Sequence, residues 1–174
     1  MKTILVTGPI GSGKSEVCRY LASKGFPVYD CDSRTKLLYE NVPDLKGRIE
    51  DALGIKWSEI GVIFTDASRR ERLESIVYPL LVEDIREWKE ANASSRLLFV
   101  ESAIALDKPQ LDGLYDEVLL VTARLQTRIA RNPKAVERDA LQSFDDDKID
   151  YRLENDSSVE SLHKKTDELL CKLI

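Results

Sequence analysis

An uninterrupted apolar run, Thr3-Ile4-Leu5-Val6-Thr7, opens the chain and predicts a strand buried on both faces. A glycine-rich stretch follows, and then the period changes. Val17, Cys18, Leu21 and Ala22 recur at helical spacing, and Lys24-Gly25 is a helix stop. Phe26-Pro27-Val28-Tyr29 predicts a second short strand, which ends in Asp30-Cys31-Asp32. The next helix is expected to begin near Asp32 or Ser33 and to carry Leu37 and Leu38.

From 44 to 93 the pattern is mostly helical. Asp44 is expected to cap a helix running to Gly54, and Asp66 another containing Leu73, Ile76 and Val77. Pro79 suits a first helical position, with Leu80, Leu81, Val82, Ile85 and Trp88 after it. About fifty residues between strands is too long for a simple βα connection and reads as a helical insertion over a substrate. Arg96-Leu97-Leu98-Phe99-Val100 is a third strand, followed at once by Glu101. Glu117-Val118-Leu119-Leu120-Val121 is a fourth. Arg124 to Arg131 reads as a helix with Leu125 and Ile129 inward. Residues 132 to 147 are polar and read as a mobile cover. Ile149 to Leu153 is a short fifth strand, and Ser158 to Ile174 an amphipathic closing helix.

Short strands alternating with helices predict an α/β fold with a mainly parallel, doubly wound sheet and helices on both faces. The expected division is a core of residues 1–43, 94–131 and 148–174, a helical insertion at 44–93, and a lid at 132–147. A chain of 174 residues suffices for one such domain. Its net charge of −5 argues against a general nucleic-acid binder. Cys18, Cys31 and Cys171 are odd in number and far apart, which argues for a reducing compartment rather than a disulfide framework. Cys18 is expected in the core and Cys31 partly exposed. With a single His, His163, expected at the surface, no zinc site is anticipated. No apolar run approaches membrane-spanning length and no leader precedes the first strand, so the expected location is cytoplasmic.

The chemistry gathers at Gly8-Pro9-Ile10-Gly11-Ser12-Gly13-Lys14-Ser15, a G-x-x-x-x-G-K-S phosphate-binding P-loop. Strand, loop and helix follow in the order that motif requires. Glycines let backbone N–H groups turn inward as an anion nest, and the following helix points its positive end at the phosphates. Lys14 can reach the β- and γ-phosphates, and the Ser15 hydroxyl can ligate Mg²⁺. Gly8, Gly11, Ser12, Gly13, Lys14, Ser15 and Glu16 are thus the candidate ATP-binding residues. Asp32 and Glu101 sit where open α/β sheets bind ligands, at strand carboxyl ends. Asp32 is either a helix N-cap or a catalytic base, and Glu101 is placed to support a metal's waters. Arg128, Arg131 and Arg138 edge the cover.

These pieces together resemble the dephospho-CoA kinase family. The resemblance runs through the P-loop opening, Val28-Tyr29-Asp30-Cys31-Asp32, and Leu73 to Leu81 with its Tyr78-Pro79-Leu80-Leu81. It continues through Glu101-Ser102-Ala103-Ile104-Ala105-Leu106-Asp107 and closes on Tyr151-Arg152-Leu153-Glu154-Asn155-Asp156. It covers nearly the whole chain. It implies a P-loop NTPase-type five-stranded sheet and transfer of the ATP γ-phosphoryl to the ribose 3′-hydroxyl of dephospho-CoA. It implies Asp32 as base, Glu101 and Arg131 on the substrate side, and Lys14 and Arg138 on the transferring group. It also implies a monomer or weak homo-oligomer acting on a small molecule. The chain departs from the family at Tyr78, where His is usual, at Ala103 for Pro, at Asn132 for Asp, and at Phe144 in a shortened lid. The departures touch neither the P-loop nor Asp32. Another small-molecule kinase of this fold, such as a nucleoside or nucleotide kinase, would share the machinery. An inactive relic or a nucleotide switch are further alternatives. A switch would want N/T-K-x-D, whereas Thr35-Lys36 continues as Leu37-Leu38.

Overall fold

The computed structural model describes residues 1–136 and 144–174. Five strands, β1 (Lys2–Thr7), β2 (Val28–Asp30), β3 (Leu97–Glu101), β4 (Glu117–Thr122) and β5 (Tyr151–Glu154), form one parallel sheet in the order β2-β3-β1-β4-β5. Among the described residues the α-helices are α1 (Lys14–Ser23), α2 (Cys31–Asn41), α3 (Leu45–Leu53), α4 (Ala67–Ala91), α5 (Leu125–Arg131) and α6 (Val159–Leu173). A 3₁₀ segment, Trp57–Phe64, joins α3 to α4.

Side chains alternate along a strand, so β1 feeds two cores. Ile4 and Val6 pack with Val17 and Leu21 of α1 and Leu162 and Leu169 of α6. Leu5 packs on the other face with Tyr29, with Leu81 and Ile85 of α4, and with Val100. Burial on both faces explains why the strands read as continuous apolar runs. A third cluster gathers Leu45, Ile49 and Leu53 of α3 with Leu73 and Val77 of α4, against Tyr39 and Trp57. The strand order changes sides at β1, with β3 on one flank and β4 on the other, the point where an open sheet forms a crevice at its carboxyl ends, and register puts Glu101 opposite both Val6 and Asp30 there.

Six local expectations change. Pro79 lies in the interior of α4, which is continuous over 25 residues. Apolar contacts on both sides of it, at Val77, Tyr78, Leu81 and Ile85, offset the roughly 3 kcal/mol that an interior proline costs. Asp44 stands at the start of α3 in left-handed backbone, φ 55°, and its side chain makes no cap bond. The cap of α2 is Asp30 and the helix begins at Cys31, one or two residues earlier than the placement near Asp32 or Ser33, so Asp32 falls inside the first turn. Cys31 is buried, not partly exposed, because its helix begins directly from a core strand. In α5, Leu125 and Ile129 are exposed at 43% and 37%, while Arg128 is the buried residue. The seven-residue helix is too short for apolar periodicity to decide its inner face. Asp66 does cap α4, accepting from the Arg69 N–H. β5 starts two residues later than its apolar pattern suggested. Among the described residues, no helix is long and apolar enough to cross a membrane.

Candidate active site

The P-loop turns because three of its glycines have positive φ: 145° at Gly8, 77° at Gly11 and 101° at Gly13. A Cβ on Gly8 would stand 2.1 Å from the Val121 carbonyl oxygen, and one on Gly13 would stand 2.2 Å from Asn155 Nδ2. Both places are closed to any larger residue. Gly13 is the residue before α1, so the loop delivers Lys14 and Ser15 at that helix's first turn. The Asn155 amide donates to the Ser12 carbonyl at 2.8 Å. Arg131 donates to the Gly11 carbonyl at 3.2 Å and to the Asn155 carbonyl at 3.0 Å. The end of β5 and the end of α5 thus grip the loop from outside. Ser12 Oγ and Thr7 Oγ1 are buried with no hydrogen-bond partner among the described residues.

Beside the loop lies a cavity of about 430 Å³. It is lined by Gly11, Gly13, Lys14, Ser15, Glu16, Asp32, Glu101 and Arg131, with Asp30, Ser102, Ala103 and Asn132 among their neighbours. Burial pushes the Lys14 ammonium below its ordinary 10.5, against the pull of Glu101 and Asp32. The Lys14 Nζ donates to the Pro9 carbonyl at 3.4 Å. The Ser15 hydroxyl donates to Glu101 Oε1 at 2.8 Å.

Asp30 explains how Asp32 comes to face the cavity. Its carboxylate accepts from the N–H groups of Asp32, at 3.0 Å, and Ser33, at 3.3 Å, and from the Ser33 hydroxyl at 2.5 Å. This meets the orphan donors of the α2 N-terminus. Asp32 is left without a capping duty, and among the described residues its carboxylate accepts no hydrogen bond. The two flanking thiols are chemically quiet. Burial raises Cys31 to about 12 and Cys18 well above the ordinary value, so neither is a thiolate nucleophile near neutral pH.

Glu16 has a second engagement. It accepts from Arg19 Nη2 at 2.6 Å, and its other oxygen lies 2.9 Å from His163 Nε2. His163 stacks on Tyr20 with ring centroids 3.9 Å apart. The single His is therefore a half-buried strut between α6 and α1. Arg138 lies outside the described residues. Asn155 and Asp30 are the site residues that patterning alone passed over as chemistry. Their signal is the one that exposed Asp32 and Glu101, a polar residue directly at a strand's carboxyl end.

The residues present suit a nucleoside triphosphate with Mg²⁺. The loop offers backbone donors, a cation and a hydroxyl beside a carboxylate. Among the described residues, no cluster of three or more His, Cys, Asp or Glu could hold a metal by itself.

A sequence model of the family described as Dephospho-CoA kinase matches residues 2–170. The chain belongs to the dephospho-CoA kinase family. A dephospho-CoA kinase of Porphyromonas gingivalis is 34% identical over 150 residues, covering 79% of this chain and 73% of that one. A crystal structure of a Thermus thermophilus protein superposes with a TM-score of 0.80 at 28% identity, over 99% of this chain and 98% of the other. A shikimate kinase from Acinetobacter baumannii, solved in complex with shikimate, shares the fold at a TM-score of 0.56 and 16% identity, over 99% and 94%. As a dephospho-CoA kinase family member, the chain is a transferase built on the P-loop kinase sheet.

Proposed function

We infer that the enzyme transfers the γ-phosphoryl group of ATP to the ribose 3′-hydroxyl of dephospho-CoA, giving coenzyme A and ADP. One observation carries the reading. In a chain of this family, Lys14, Ser15, Asp32 and Glu101 line a single cavity at the sheet's carboxyl edge.

The backbone from Gly11 to Ser15 holds the phosphates, together with Gly8 and Glu16 at the ends of the cradle. Lys14 offsets negative charge on the transferring group. Ser15, supported by Glu101, would hold Mg²⁺, which would supply positive charge to offset the negative charge building up on the phosphates during transfer. Asp32 accepts the proton of the 3′-hydroxyl as that oxygen forms its bond to the γ-phosphorus. The bond from the γ-phosphorus to the β–γ bridging oxygen breaks, ADP leaves, and Asp32 returns its proton to water. Glu101 and Arg131 border the acceptor side. Arg131 and Arg138 exclude water, which would otherwise compete with the alcohol. Residues 44–93 cover the acceptor and 132–147 act as the lid. On this reading the enzyme works in the cytoplasm on a small molecule, without nucleic-acid or membrane partners, as a monomer or weak homo-oligomer. Three free thiols agree with a reducing compartment.

ADP formation against a panel of acceptors tests this. Dephospho-CoA is expected to raise turnover far above the acceptor-free rate, and nucleosides or shikimate are not. Turnover with a nucleoside and none with dephospho-CoA would replace the acceptor assignment.

A further inference from the structure

Outside the cavity, one polar group ties three elements together. Asp84, on α4, is the hub. Its Oδ2 accepts from the Tyr29 hydroxyl and from Arg34 Nε, the latter at 2.8 Å, and its Oδ1 accepts from Arg34 Nη2. The Asp84 side chain is 17% exposed. Arg34 also lies over the Tyr29 ring, 5.4 Å from its centroid. The same ring meets Trp88 of α4 edge-on at 5.3 Å. Tyr29 itself is 1% exposed. This is a planar fork on a carboxylate, backed by an aromatic face, which fixes orientation as well as distance.

The placement of its members gives the group its consequence. Tyr29 is the middle residue of β2, and Arg34 is in the first turn and a half of α2. Between them run Asp30, Cys31, Asp32 and Ser33. Asp84 therefore holds both ends of the six-residue stretch that turns from strand to helix. Asp30 caps that stretch from within, and Cys31 is buried in the core below it. Asp32 is the member left facing the cavity.

We propose that the Tyr29–Arg34–Asp84 clamp is a positioning device that lets α4 set where the Asp32 carboxylate stands. Asp84 and Arg34 are positioning residues; neither lines the cavity beside the P-loop. The proposal rests on the reading of Asp32 as base. It adds that α4, the long helix of the segment assigned to the acceptor, is coupled to the base through one carboxylate. Movement of that helix therefore moves Asp32, while the P-loop, held by Asn155 and Arg131, stays in place.

The test uses the full chain with ¹³C-labelled aspartate carboxyls, the Asp32 signal being identified by its loss in Asp32→Ala. Asp84→Asn is expected to shift or broaden the Asp32 signal. It is also expected to lower kcat with dephospho-CoA by about 10- to 100-fold, the scale of an ångström-level misplacement, with KM for ATP unchanged. Tyr29→Phe and Arg34→Lys, which keep the packing, are expected to give smaller changes of the same kind. They carry the test if Asp84→Asn does not fold. In an Asp32→Ala background the clamp variants are expected to cost no further kcat. An unmoved Asp32 signal in folded clamp variants would overturn the proposal. So would a kcat loss that persists undiminished without Asp32. If the signal moves but Asp32→Ala turns over at the wild-type rate, the clamp positions Asp32 and the base assignment is what fails.

Discussion

Lys14 is a half-buried cation held near two carboxylates, and its environment disfavours its charge on balance. Its folded pKa is lowered by burial, so the native state binds fewer protons than the unfolded chain between that value and the ordinary 10.5. Stability therefore rises with pH across that window, and below it the buried ammonium is a penalty. Lys14→Met is expected to melt higher than wild type at pH 7 without nucleotide, with the gap narrowing toward pH 10.5, while binding of ATP is lost. Thermal melts at a series of pH values check this; a lower melting point at pH 7 would contradict it. Gly13→Ala is expected to destabilise and to disable the loop, because its Cβ would meet Asn155 Nδ2 at 2.2 Å on top of the strain at φ 101°. Both residues were legible in the chain, because the P-loop spacing specifies backbone geometry directly. Asn155 was not legible as a clamp. Its partner, the Ser12 carbonyl, is 143 positions away, and only the sheet brings them together.

At the level of elements, the caps decide more than the apolar pattern did. The α2 start shows it: Asp30 and Asp32 are equally good caps by residue type, and only the strand's end tells which one is used. Asp30→Ala is expected to cost about 0.5–2 kcal/mol of stability in urea melting, the range for a lost N-cap, and to lower turnover by releasing the Asp32 turn. Pro79→Ala is expected to stabilise α4 by roughly 1–3 kcal/mol, since Pro79 is exposed and its ring replaces an interior N–H. The sequence pattern broke the helix at that proline because local rules cannot see the packing on both its sides. The clamp on α4 has its own pH signature. Burial opposes ionisation of Asp84, but the bonds from Arg34 and Tyr29 outweigh it and hold the carboxyl below its ordinary 3.8. A depressed carboxylate contributes stability that is complete above the ordinary value and is lost as pH falls through the folded one. The difference in stability between wild type and Asp84→Asn is thus expected to be constant from pH 7 to about 5 and to close below about pH 4.

For the molecule as a whole, the parallel sheet and the gathering of Lys14, Asp32 and Glu101 at one edge of it were readable from alternation and strand ends, because buried parallel strands carry continuous apolar runs and ligands gather at their carboxyl edge. The inner face of α5 was not, since Arg128 takes the place that Leu125 and Ile129 were expected to fill. That exchange belongs to the contact of α5 with the P-loop, where the Arg128 carbonyl would lie 2.8 Å from a Cβ on Gly11. The account as a whole asks for two separable parts, a cradle that binds ATP and a carboxylate that activates an alcohol. The most direct measurement is turnover and ATP affinity of Asp32→Ala with dephospho-CoA as acceptor. The account predicts unchanged ATP binding with kcat lowered at least about a hundredfold, the loss of a general base. Wild-type turnover in that variant, or equal inactivity of wild type and variant toward dephospho-CoA, would contradict it.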